Sequence, residues 1–267
     1  YIMFPVNYNN TNTEVYVDLT NNNSTTINKF DIERMNTQND IYAPKILIIG
    51  NGRAGKSWLI KDIMYFFRNL NYGKVISPTE YICNFYNKFI PSNYIYHEFN
   101  DELIKDLIKR QEDHKYSKNN KQSFLILDDC TYDFTQEYIG TYKSILYGNQ
   151  LKIQPLIISI QHPNMIPQVL IENFDYIFVY KNKNEIDQHI IYDNYCNFIN
   201  NYDDFVKIYN KISQIDFTCM VIDNRSKSTN IKERLFHYKS IKRHNFMLEE
   251  KMTQSIILQT IIKKGKK

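Results

Sequence analysis

The spacing of hydrophobic and polar positions changes character at Pro44. Before it, "NYNNTNTEVYVDLTNNNSTTINKF" is polar and almost free of helical periodicity, with one short alternating stretch, "EVYVDL", that predicts a strand. Residues 1–43 therefore read as a polar N-terminal arm. From Pro44 onward apolar runs alternate with helical patterns. "KILIIG" is a buried strand ending in a Gly-rich turn, and "GKSWLIKDIMYFFRNL" carries apolar residues at helical spacing. "KVISP" predicts a second strand. "DELIKDLIKRQEDHKY" predicts an amphipathic helix with Leu103, Ile104, Leu107 and Ile108 on one face. "SFLILDDC" is a third strand, "YIGTYKSILYG" a helix, and "PLIISIQ", "DYIFVYK" and "FTCMVID" are the fourth to sixth strands. Strands alternating with helices predict an α/β fold, a mostly parallel sheet with helices on both faces. The expected division is an arm over 1–43, a core over 44–223 and a basic C-terminal segment over 224–267.

Composition narrows the class. With 43% hydrophobic and 15% aromatic residues in 267, the chain can bury a substantial core and is not a disordered polymer. A formal charge of +4 is only mildly basic, so any affinity for nucleic acid must come from how the charge is distributed. The four cysteines are far apart and form no C-x-x-C pair, against a zinc module and against a disulfide scaffold. No window approaches the roughly 18 apolar residues of a membrane span, and "YIMFPVNYNN" lacks the order of a signal peptide. A first residue of Tyr1 in place of Met leaves room for residues upstream.

The chemistry starts at "GNGRAGKS". Gly50, Gly55, Lys56 and Ser57 match G-x-x-x-x-G-K-[ST], with Asn51, Gly52, Arg53 and Ala54 completing the loop. Successive backbone N–H groups must curl around a β-phosphate, and glycines permit that curl. Lys56 then reaches the β and γ oxygens and Ser57 ligates magnesium. The strand before and the helix after are the context this motif requires. "FLILDDC" places Asp128 at the carboxyl edge of a buried strand, where an acid holds magnesium through water, and Asp129 next to it as a base for the attacking water. The competing reading of Asp129 is a turn cap. Gln161 closes "LIISIQ" at the same edge, either as a sensor of the γ-phosphate or as a plain first loop residue.

With these motifs placed, the sequence resembles the genome-packaging ATPases of poxviruses and giant DNA viruses, a branch of the FtsK/HerA group. The resemblance covers about 44–240 and recurs at "GKSWLIKDI", "VISPTEY", "FYNKFIP", "FLILDD", "LIISIQHPNMIPQVLIENFDYIF" and "CMVIDNRSKS" through "FHYKS". It implies a RecA-like P-loop NTPase core that binds ATP and Mg2+ and assembles as a homo-oligomeric ring. Such a ring drives double-stranded DNA through its centre, at a capsid or portal-vertex protein, in the viral factory of the host cytoplasm or in the virion. By that analogy Gly50 to Ser57 bind ATP, Asp128 holds magnesium, Asp129 is the catalytic acid position and Gln161 the sensor. Two places depart from the family, Asn149 and Ile171, where relatives commonly carry arginine. An arginine finger contributes roughly 10³ to 10⁵ in rate, and the remaining candidates are Arg225 first, then Arg53, Arg110 and Arg234. Two other readings stay open: a helicase-like translocase, and a nucleotide-gated assembly or scaffold protein with little turnover.

Between Asn224 and His244 seven Lys or Arg face one acid, Glu233, a local excess that can contact phosphates or lie as a solvated surface. Interleaved Ile231, Leu235, Phe236 and Tyr238 predict that part of this segment packs. The tail "KMTQSIILQTIIKKGKK" reads most simply as a disordered basic tail, the alternative being a segment that docks on a capsid protein or a membrane surface.

Overall fold

The computed structural model describes residues 14–20, 23–35, 44–70, 72–114, 122–130, 139–148 and 153–248. Asn149, much of 1–43 and the tail from 249 lie outside them. The strands are β1 (Val15–Asp18), β2 (Ser24–Lys29), β3 (Lys45–Ile49), β4 (Gly73–Ile76), β5 (Ile95–Tyr96), β6 (Ser123–Asp128), β7 (Ile153–Ile160), β8 (Tyr176–Tyr180), β9 (Thr218–Asp223) and β10 (Leu235–Lys239). The helices are α1 (Lys56–Phe66), α2 (Glu80–Cys83), α3 (Asp101–His114), α4 (Ile139–Tyr147), α5 (Gln168–Ile171), α6 (Glu185–Tyr195), α7 (Tyr202–Ile212) and α8 (Ile231–Arg234).

All the strands form one sheet in the order β1-β2-β10-β9-β8-β3-β7-β6-β4-β5. From β8 to β5 every pairing is parallel, and β3 lies between β7 and β8 at the centre. The apolar runs read as continuous because both faces are covered. Leu47, Ile49, Leu125, Leu127, Ile158 and Val179 point into one layer with residues of α3 to α7. Ile46, Ile48, Ile126, Ile157 and Phe178 point into the other, against Leu59, Ile60, Ile63 and Met64 of α1. The expected mixed α/β fold is the observed one.

The division expected at 43/44 and 223/224 does not coincide with any break in this sheet. β1 and β2 form an antiparallel pair, and β2 joins the sheet through β10, which lies antiparallel to β9. The segment expected to be an arm therefore supplies a flank of the sheet. Val15, Val17, Thr25 and Ile27 turn inward; β1 is the strand expected at "EVYVDL", whereas the two buried positions of β2 are too few to stand out in a polar context. The basic segment packs as expected, with Leu235 and Tyr238 buried.

Beyond β10 the chain crosses α1 as a strap without secondary structure. Asp62, fully buried in the middle of α1, accepts from Tyr238 Oη (2.7 Å), Ile241 N (2.7 Å) and Arg243 Nε (2.6 Å). Farther on, Phe246 packs on Phe89 and Tyr65, and Leu248 N donates to Phe89 O at 2.9 Å.

Candidate active site

The parallel strands deliver their last residues to one edge, the edge at which ligands bind in open α/β sheets. β3 releases the chain at Gly50, whose N–H donates to Ile160 O at 3.1 Å. A side chain there would sit 2.9 Å from Tyr180 Cβ, so the loop needs glycine at its start. Gly55 has φ +114°, a conformation that glycine adopts without strain, and it turns the loop into α1. Lys56 is buried, and its Nζ donates to Gly50 O at 2.7 Å and Asn51 O at 3.4 Å, folding the side chain back over the loop.

Asp128, the last residue of β6, is 4% exposed and sits beside the loop, with Ser57 Oγ 3.4 Å from its Oδ2. Two further donors reach it: Tyr86 Oη at 2.8 Å to Oδ2, and Ser159 Oγ to Oδ1. Burial pushes the Asp128 carboxyl upward, while the hydrogen bonds from Ser159 and Tyr86 and the charge of Lys56 oppose that shift. Tyr86 and Ser159 were not legible as site residues, since each lies far from Asp128 along the chain. The hard oxygen set of Ser57 and Asp128 suits magnesium.

Asp129 stands one residue on, in the left-handed region at φ 62°. Its N–H donates to Ser159 O at 3.2 Å, and its Oδ2 accepts from Gln161 Nε2 at 2.5 Å. A non-glycine residue held there is strained, and the strain turns the carboxylate out of the line of β6 toward the edge. Gln161 is thus not a free loop residue: it braces Asp129. The structure brings Lys56, Ser57, Asp128, Asp129 and Gln161 together.

The candidate arginines divide differently. Arg53 lies in the loop, exposed, at φ 65°. Arg225 follows the end of β9, which is antiparallel to β8, so it lies at the amino edge of the parallel strands, with Nη1 3.3 Å from Tyr176 Oη. Arg234 immediately precedes β10, whose first residue pairs with Ile222, and Arg110 lies over Tyr72, just ahead of β4. Arg225, ranked first from sequence, is therefore at the wrong end of the sheet for its own chain's loop, as are Arg110 and Arg234. Ile171 is buried in α5.

No protein-family model matches the chain. It is similar to the uncharacterized protein L437 of Acanthamoeba polyphaga mimivirus, 30% identical over 223 residues that cover 80% of this chain and 78% of that protein. It is likewise similar to the uncharacterized protein 075L of Invertebrate iridescent virus 6, 31% identical over 208 residues, 75% of this chain and 80% of that one. Among solved structures, the genome packaging NTPase B204 from Sulfolobus turreted icosahedral virus 2, in complex with AMPPCP, superposes with a TM-score of 0.54. That match covers 76% of this chain and 99% of B204 at 16% identity, a likeness of fold.

Proposed function

Because the chain belongs to the family of large-DNA-virus proteins that includes mimivirus L437 and iridescent virus 075L, and carries a phosphate loop on a P-loop NTPase fold, we propose that it is a magnesium-dependent ATPase motor. Its work is to drive double-stranded viral DNA into the capsid, in the viral factory or on the virion. The observation that carries this reading is the convergence of Lys56, Ser57 with Asp128, and Asp129 with Gln161 on one edge of the sheet. The genome-packaging role of B204 supports the choice of cargo.

In this reading the backbone N–H groups of 50–57 cradle the phosphates, and Lys56 exchanges its two carbonyl partners for phosphate oxygens. Ser57 and Asp128 are the residues that would hold magnesium, which neutralises charge on the β and γ oxygens when bound. Tyr86 and Ser159 keep Asp128 oriented and favour its ionised form. Asp129 takes a proton from the attacking water with the oxygen that Gln161 leaves free, and Gln161 links that carboxylate to the strand end beside it. Subunits assemble as a ring on the DNA and dock on a capsid or portal-vertex protein.

Steady-state ATP hydrolysis, with and without double-stranded DNA, tests the proposal on the full chain. Turnover stimulated by DNA and abolished by Lys56→Ala and by Asp129→Asn is the expected result. Turnover no higher than in these variants, even with DNA, would sink it. One observation favours a second reading, a nucleotide-gated assembly protein with little turnover: three of the four candidate arginines lie at the far end of the sheet from the loop of their own chain. Strand separation on a forked duplex would instead favour a helicase-like translocase.

A further inference from the structure

Directly beside the phosphate loop lies a hollow of about 220 Å³ that the phosphate-binding residues do not use, lined by Trp58, Phe217, Lys239, Ser240, Ile241 and Lys242. Two large aromatic side chains are left open on it, Trp58 at 44% and Phe217 at 57% exposure, where few of the described rings are exposed. Neither is placed casually. Phe217 has φ 61°, a costly conformation for a bulky residue, and its ring stands 3.4 Å from where a Cβ on Gly55 would be. Trp58 immediately follows Ser57 in α1 and is held edge-on against Phe85, with ring centroids 5.3 Å apart.

The third wall is the strap after β10, and Asp62 fixes it over α1 through Tyr238, Ile241 and Arg243. One polar group of this wall is already engaged, the Ile241 N–H held by Asp62, and behind Phe217 the Tyr180 hydroxyl donates to Gly55 O at 3.3 Å. What the hollow presents toward the loop is therefore mainly ring surface, starting one residue from the phosphate cradle.

We propose that this slot takes the purine base of the nucleotide and grips it by its faces, between Trp58 and Phe217, with little reading of its edge. Adenine and guanine are then accepted alike, because both present the same flat apolar face. The inference rests on the nucleotide-binding reading of residues 50–57 and assigns the rest of that site.

Trp58 is the single tryptophan of the chain, so its fluorescence reports the slot directly. The full chain, in magnesium buffer, is titrated with ADP, with GDP and with inorganic tripolyphosphate, which has neither base nor sugar. Both nucleotides should quench Trp58 with affinities within about tenfold of each other, whereas a site that reads base edges discriminates by far more. Tripolyphosphate should displace ADP without quenching by itself. Phe217→Ala should weaken both nucleotides roughly tenfold to hundredfold, leave tripolyphosphate affinity where it was, and be rescued by Phe217→Tyr. Equal quenching by tripolyphosphate, equal weakening of all three ligands by Phe217→Ala, or binding of ADP without GDP would overturn the proposal. If tripolyphosphate and ADP both fail to bind the unaltered chain, the phosphate-loop reading itself falls and the slot with it. Binding of both with no response to Phe217→Ala removes the slot alone.

Discussion

The two ends of the parallel strands are built on opposite terms. At the carboxyl end, Arg53, Asp129 and Phe217 hold φ of 65°, 62° and 61°, each a conformation costing on the order of 1 kcal/mol or more. Each end keeps a carboxyl whose ionised form burial opposes, Asp128 here and Asp175 at the amino end. At the amino end, charges close on each other and on rings. Arg34 Nη2 lies 3.1 Å from Asp223, Arg110 lies over the Tyr72 ring at 3.6 Å, and Arg234 lies over the Phe198 ring at 4.0 Å. Backbone strain gathers where chemistry is proposed. Paired charges gather where the fold only has to hold.

The largest expected effect contrasts these ends directly. Asp129→Asn should lower kcat for ATP by about 10² to 10⁴ with little change in KM, since it removes a proton acceptor and leaves nucleotide contacts in place. Arg225→Ala, at the amino end, should leave kcat within about twofold, the range of a substitution away from the site. Steady-state kinetics of the two variants side by side decides the matter. A collapse of turnover in Arg225→Ala would break the contrast, because the amino end would then be completing the site of a neighbouring subunit.

Asp62 sharpens the contrast by lying between the ends, within α1. Replacing it by alanine strands Tyr238 Oη, Ile241 N–H and the Arg243 guanidinium at once. Urea unfolding should register a loss of about 3 kcal/mol, the scale for breaking a buried charged pair with its hydrogen bonds. A loss under about 1 kcal/mol would mean that the strap is held by its aromatic contacts alone.

A smaller effect should come from Tyr86→Phe. The Tyr86 hydroxyl is one of the donors that lower the Asp128 carboxyl against the upward push of burial, so its removal should raise that group further. Asp128 is needed ionised, and activity is lost as pH falls through its value. The acid limb of the pH–rate profile should therefore move to higher pH. An unmoved limb would assign it to another group.

Much of this arrangement was legible in the sequence, for local reasons. β3, the loop and α1 are contiguous, and the two acids sit at the end of an unbroken apolar run. What could not be read is what depends on distant pairing. β10 joins the sheet only because β9 and β2 flank it, and "STTINK" offers two inward residues in six, too few for a pattern. Tyr86 and Ser159 reach Asp128 across 42 and 31 residues of chain. The backbone of Phe217 carries no mark in its residue type. The side of the sheet on which Arg225 falls follows from β9 running antiparallel to β8, a direction that an apolar run does not reveal.

The smallest expected effect belongs to the amino end and gives its stability a pH signature. Asp204, in the first turn of α7, accepts from Thr20 N at 2.6 Å, Thr20 Oγ1 at 3.0 Å and Asn201 Nδ2 at 2.9 Å, tying the β1–β2 connection to the core. Desolvation alone would raise its carboxyl, but the bonds from Thr20 and Asn201 outweigh it and hold the group below the ordinary carboxylate value. A depressed folded value contributes stability that is fully present above the unfolded pKa, near 3.9. That contribution is lost as pH falls through the folded value. Asp204→Ala should thus lower stability by about 1 to 2 kcal/mol at neutral pH, and the gap to the unaltered chain should close on acidification below pH of about 4. Thermal melts of both proteins across that range test the sign. A gap that stays constant down to pH of about 2 would mean that the Asp204 contribution is packing, with the carboxylate charge taking no part in joining the N-terminal strands to the sheet.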